Sequence, residues 1–183
     1  MSEQQLIYHC APTLAGLKNG SLFSCCCKCK ADALGFVRSM NRKLVPKGLR
    51  VIPLKYTYER VLIYVYRPSG LSFDLSCKDA QLLLKEAGYQ ACSTEKCIME
   101  LIHRMQMQEE FPHEIGLFLS YPPEDVRGFI ENKGAGCKCV GCWKVYGNAQ
   151  KAMQTFEQYK KCQATYCLQW QKGIKIERLA VAV

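Results

Sequence analysis

The sequence predicts a mixed α/β protein of the α+β kind: one layered domain over residues 1–183, with a mixed sheet of about five strands flanked by helices. Three observations lead there. Two runs of branched and aromatic residues, Leu49–Tyr56 and Val61–Tyr66, are joined by a short polar link and read as a β-hairpin, which excludes an all-parallel sheet. Segments with apolar residues at helical spacing are interleaved with further short apolar runs. The 183 residues are 49% hydrophobic and 22% charged, so the chain can bury a core without help from metals or disulfides.

The elements follow in order. Pro12 suits the first turn of a helix over Ala11–Lys18, and Asn19-Gly20 turns the chain into a short strand, Ser21–Cys25. Ala33, Leu34, Val37, Met40 and Leu44 give Ala31–Leu44 a helical stripe, which Pro46-Lys47-Gly48 ends. After the hairpin come two helices. Lys78–Ala87 stops at Gly88, and Thr94–Met107 carries Cys97, Ile98, Leu101, Ile102 and Met105 on one face. His113–Tyr121 is apolar enough for an inner strand. Pro122-Pro123-Glu124-Asp125 opens a helix that ends near Asn132. Val140–Tyr146 reads as a strand, Ala149–Gln171 as a long helix, and Ile174–Val183 as a final extended segment.

The net charge is +9, and it is uneven: residues 1–91 hold 13 Lys and Arg against 6 Asp and Glu. A basic half of this kind attracts acidic partners. No helix-turn-helix, Cys/His finger or aromatic RNA-binding strand accompanies it, so nucleic acid is not an expected partner. No apolar run approaches the length of a membrane span, and the first residues lack the pattern of a secretory signal. A cytoplasmic location, with no membrane partner, is the expectation. There the 13 cysteines stay reduced, as buried small hydrophobes, metal ligands or redox thiols.

The sharpest constellation is Cys137, Cys139 and Cys142, a Cys-x-Cys overlapping a Cys-x-x-Cys. Thiolates at that spacing reach one tetrahedral metal, so zinc, iron or an iron–sulfur cluster are the candidate cofactors. In Cys25–Cys29, the alternation of an extended chain puts Cys25, Cys27 and Cys29 on one side, so Cys27 and Cys29 are further candidate ligands. A polar set gathers at expected strand ends: His113 and Glu114 as acid–base groups, with Arg67, Tyr121, Lys144 and Tyr146 as ligand-binding groups. On a strand His113 and Glu114 would point to opposite sides. Cys10, beside Pro12 at the expected helix start, is a candidate nucleophile for a cysteine hydrolase, because such a place depresses a thiol's pKa. No phosphate-binding glycine loop, serine-hydrolase elbow or His-Glu-x-x-His motif is present.

Three stretches carry a resemblance: His9–Lys18 with Ser21–Phe23, Phe111–Leu119 with Tyr121–Ile130, and Lys138–Gly147. Together they resemble a domain-of-unknown-function family of small cytoplasmic proteins from anaerobic Gram-positive bacteria. Its motif positions here are His9, Pro12, Lys18, His113, Glu114, Tyr121, Asp125, Cys139, Trp143, Lys144 and Tyr146. The run Cys25–Cys29 departs from the family's pattern. The resemblance implies no particular activity. It implies an iron- or redox-linked role, in the company of flavodoxin and iron-uptake genes.

Three functions are therefore expected, in order. The first is a metal- or small-ligand-binding protein using Cys139 and Cys142, with Lys18, Arg67 and Lys144 steering an anion and His113 and Glu114 moving protons. The second is a non-catalytic adaptor whose basic half docks an acidic, flavodoxin-like redox protein. The third is the Cys10 hydrolase.

Overall fold

The computed structural model describes residues 1–90, 93–107 and 110–182. In chain order they form α1 (Glu3–Leu14), β1 (Gly20–Cys26), α2 (Lys30–Leu44), β2 (Arg50–Thr57), β3 (Arg60–Tyr66), α3 (Pro68–Ser76), α4 (Lys78–Glu86) and α5 (Thr94–Met107). Then follow α6 (Ile115–Phe118), α7 (Pro123–Glu131), β4 (Cys139–Val140), β5 (Lys144–Val145), α8 (Ala149–Gln171) and α9 (Ile176–Leu179). The chain divides into two compact units, Met1–Gly70 with Lys161–Val183, and Leu71–Lys160.

The first unit is built on a three-stranded antiparallel sheet in the order β1-β3-β2. The expected hairpin is β2–β3. Its register shifts between Pro53 and Lys55, where a proline without an N–H is tolerated because β2 is an edge strand. One sheet face carries Phe23, Cys25, Val51, Val61, Ile63 and Val65. These pack with Leu6, Ile7, Cys10 and Leu14 of α1 and with Ala33, Val37, Met40 and Leu44 of α2. The Asn41 side chain of α2 covers part of the β2 edge: its amide donates to Val51 O at 2.7 Å and accepts from Val51 N at 2.9 Å.

Helix α1 starts eight residues before the expected place. Ser2 and Gln5 form a capping box there. Pro12 is therefore near the end of the helix, where its missing N–H strands the Tyr8 carbonyl. The Gln163 side chain replaces that donor at 2.7 Å.

Arg67, at the end of β3, is 3% exposed. Its Nε donates to Thr13 O at 2.8 Å, and Nη2 donates to Leu14 O and Val181 O, each at 2.8 Å. Nη1 reaches Lys47 O at 3.4 Å. A single cation thus receives the open carbonyl end of α1, where the helix dipole favours positive charge, and ties it to the C-terminal segment. Burial pulls the guanidinium below its ordinary pKa, and Tyr166 offsets part of that.

The second unit holds α4 to α7 and a separate antiparallel ribbon, β4–β5, in which Cys139 pairs with Val145 and Val140 with Lys144. The α+β class stands, but the sheet is three strands plus a two-stranded ribbon, not one mixed sheet of about five. Three expected elements account for the difference. The expected strand His113–Tyr121 is a turn followed by α6. Glu114 to Leu119 are all buried there, and a fully buried run shows neither the strand nor the helix period. Ser120 ends α6 in the left-handed region at φ 58°, with Tyr121 N returning to Gly116 O at 2.9 Å. The expected strand Val140–Tyr146 folds back on itself as the ribbon. The expected extended segment from Ile174 contains α9, whose Ile176 and Leu179 join the first unit's core; its last residue, Val183, lies outside the described residues.

Arg67→Met is expected to lower unfolding stability by about 3 kcal/mol, because it removes the charge-assisted hydrogen bonds to Thr13 O, Leu14 O and Val181 O that tie the end of α1 to the C-terminal segment. The shift of the urea midpoint measures it, and a loss under about 0.5 kcal/mol, the size of an ordinary surface effect, would contradict the role assigned to Arg67.

Candidate functional site

The second unit's ribbon is held by one carboxylate. Asp125 lies in the first turn of α7, where the helix dipole favours an acid, and is 3% exposed. Its Oδ2 accepts from Trp143 Nε1 at 2.7 Å. Its Oδ1 accepts from the backbone N–H groups of Tyr146 and Gly147, each at 2.7 Å. Three directional bonds on one side chain fix both the Trp143 ring and the strand that carries it.

Trp143 then packs against Tyr121, stacked at 4.8 Å, and edge-on to Phe156 at 4.6 Å. Tyr121 donates its hydroxyl to Cys142 O at 3.2 Å. Burial pushes the Tyr121 phenol up to about 12, with Cys142 adding to the effect. Two glycines permit this closeness. A Cβ on Gly141 would lie 2.2 Å from the Phe156 ring, and one on Gly128 of α7 would lie 2.4 Å from the Tyr146 ring.

Beside the ribbon is a cavity of about 440 Å³. Its apolar wall includes Ile115, Val126 and Phe129, with Tyr121 and Trp143 adding aromatic surface. Its polar groups are His113 and Lys144, besides the already saturated Asp125. His113 meets Phe129 edge-on at 4.9 Å. Lys144 Nζ lies 5.7 Å over the same ring and donates to Gly134 O at 2.8 Å, which uses one of its three N–H donors.

Of the residues expected to act together, His113, Tyr121 and Lys144 share this cavity. Glu114 has another role. It accepts from Tyr89 OH at 3.2 Å and lies 3.6 Å from Arg104, while Arg104 sits 4.4 Å over the Tyr89 ring. Tyr146 rests on Gly128, outside the cavity lining. Lys18 and Arg67 belong to the first unit. Arg67 is occupied by carbonyls, and the Lys18 charge acts on the Cys10 thiol.

The cysteines disperse. Cys139 packs against Trp143, Val145 and Ala152. Cys142 is exposed, and Cys137 acts electrostatically on Tyr146. Cys27 packs against the first unit's core and Cys29 is exposed at the start of α2. Among the described residues, no three His, Cys, Asp or Glu side chains gather closely enough to hold a metal ion. Cys10 is fully buried inside α1, and burial pushes its thiol up to about 12, against smaller opposing effects of Lys18 and Ser21. That is the reverse of the shift expected at a helix start.

The family model for DUF3793, proteins of unknown function, matches residues 6–180. The chain belongs to the DUF3793 family. No curated protein and no solved structure matches it. Among the described residues no helix is long and apolar enough to cross a membrane.

Sequence reasoning missed Phe129 and the anchoring role of Asp125 in this DUF3793 chain. The signal for Asp125 was its place in a motif together with Trp143 and Tyr146, the residues it binds.

Two outcomes follow. Asp125→Asn turns an amide N–H₂ or a weaker carbonyl toward donors that need an anion. It is expected to cost about 2 kcal/mol and to weaken the near-ultraviolet circular dichroism of the Trp143–Tyr121 pair, and an unchanged spectrum and midpoint would refute the anchor. For Cys10, the unfolded thiol ionises near 9.0 and the folded one near 12. Between those values the unfolded state holds fewer protons, so stability falls as pH rises from 9 to 12. Cys10→Ala is expected to show a shallower alkaline loss than the parent over that window, measured by urea midpoints at each pH.

Proposed function

We propose that this DUF3793 chain binds a small molecule with a flat apolar body and an acidic group in the cavity beside the β4–β5 ribbon. The supporting observation is the combination of a cavity of about 440 Å³, within the usual size range of small-molecule sites, with aromatic walls and one lysine ammonium. The roles divide by chemistry. Phe129, Tyr121 and Trp143 offer apolar faces to a flat body. Lys144 has N–H donors left after Gly134, and its charge is a partner for a carboxylate or phosphate. His113, exposed at the cavity, can exchange a proton with a bound group. Asp125 holds the Trp143 wall in place before any ligand arrives, so little ordering accompanies binding. This takes up the small-ligand part of the sequence expectation. The ribbon's cysteines lie in separate surroundings and are not needed for it.

The probe is 8-anilinonaphthalene-1-sulfonate, an aromatic anion. It is expected to bind the folded protein at one site with a dissociation constant in the micromolar range. Lys144→Met should weaken binding about tenfold, the size of one lost charge contact, and Phe129→Ala should weaken it by removing an aromatic wall of the cavity. Stoichiometric binding that neither substitution alters would place the probe elsewhere and remove the support for this site.

A further inference from the structure

The run Cys25–Cys29 is the sequence feature that the cavity leaves unexplained, and the fold separates its members. Cys25 faces the core at 1% exposure, and Cys27 packs against the same core. Cys26 and Cys29 are both exposed. Cys26 is the last residue of β1, paired across the sheet with Arg60 of β3. Arg60 Nη1 donates to the Cys26 sulfur at 3.4 Å. The same guanidinium is held in place by Ser24, with Nε to Oγ at 3.0 Å and Nη2 to the carbonyl at 3.4 Å. Cys29 is the N-cap residue of the 15-residue helix α2 and makes no side-chain cap bond. The chain bends at Lys28 and Cys29, between strand and helix, and Lys28 and Lys30 flank Cys29.

Two solvent-facing thiols therefore sit three residues apart at a strand-to-helix turn. One has a fixed guanidinium on its sulfur, and the other is the N-cap residue of a 15-residue helix. The Arg60 contact places a cation at the Cys26 sulfur, the atom that attacks first, and the Cys-x-x-Cys spacing supplies the second sulfur. We infer that Cys26 and Cys29 form a dithiol–disulfide couple that exchanges with oxidised low-molecular-weight disulfides. This stands independently of the cavity.

The exchange balances in two steps. The Cys26 thiolate attacks one sulfur of the small disulfide, forming a mixed disulfide and expelling one small thiolate. The Cys29 thiolate then attacks the Cys26 sulfur, forming the internal disulfide and expelling the second small thiolate. The protein loses two electrons, and the small disulfide gains them as two thiols. Run backwards, two small thiols reduce the protein.

The test uses the full chain, fully reduced and then exposed to oxidised glutathione, with thiols mapped by differential alkylation and mass spectrometry. Cys26 and Cys29 are expected to become protected together, two hydrogen masses lighter and without an adduct. The other exposed thiols serve as internal references: Cys142 lies in the ribbon turn, and Cys77, itself the N-cap residue of α4, reports what a helix start alone does. In Cys29→Ser a glutathione adduct should persist on Cys26, because the second step is lost. In Cys26→Ser no internal disulfide can form, and Cys29 should end as a glutathione adduct. Arg60→Met should slow the reaction of Cys26 about fivefold relative to Cys77, and Arg60→Lys should recover part of it. Equal reactivity of Cys26, Cys29, Cys77 and Cys142, or adducts that remain on both cysteines of the parent without pairing, would overturn the proposal.

Discussion

A buried charge without a counter-ion must find its solvation in the main chain, and each unit of this protein is organised by that constraint. In the second unit the charge is the Asp125 carboxylate, met by one indole and two backbone N–H groups. In the first it is the Arg67 guanidinium, met by carbonyls from the end of α1 and from Val181. Removing such an ion from water costs several kcal/mol, and each charge-assisted hydrogen bond returns about 1.5–3. The sum is small, so neither residue is a large net source of stability. What each supplies is direction. Three or four bonds from one side chain are made only when segments far apart in sequence reach one geometry. An apolar contact would accept many.

That direction is what gives the ribbon its shape. Only two residue pairs join β4 to β5, and a ribbon so short is not stable alone. Asp125 supplies the missing bonds from outside by binding the N–H groups just past β5. The Trp143 ring is then set between Tyr121 and Phe156, with Gly141 and Gly128 leaving room for rings that a methyl group would displace. The motif positions Asp125, Trp143 and Tyr146 are thus one hydrogen-bonded object spread over 22 residues of chain.

The sequence disclosed those parts of the fold whose period is visible. The β2–β3 hairpin and helices α2, α5 and α8 carry alternation or a helical stripe over enough residues to be read. The α6 segment carries neither, because every residue from Ile115 to Leu119 is buried and burial on all sides erases the period. Pro12 misled for a different reason. A proline signals a helix start only when nothing else can satisfy the carbonyl it strands, and Gln163, some 150 residues away, does so here. Arg67 reads as a ligand group at a strand end because its partners are carbonyls, and carbonyls leave no trace in a sequence. The cysteines show the same limit. Spacing suggested shared ligation for Cys137, Cys139 and Cys142, but a ribbon turn of three residues sends neighbouring side chains into unlike surroundings.

His113 and Glu114 carry the argument to the site itself. As a sequence pair they looked like an acid and a base waiting on one substrate. In the structure Glu114 is drawn inward by Tyr89 and Arg104, and the cost of burying it is met there, while His113 stays exposed beside Phe129. A buried acid already engaged by a cation and a phenol is poorly placed to move protons for a ligand, whereas an exposed imidazole beside a lysine and an aromatic wall is well placed. The chemistry at this cavity therefore reduces to one cation, one imidazole and rigid flat surfaces. Such a set would select a ligand by shape and charge first, with His113 as the exposed imidazole of the lining.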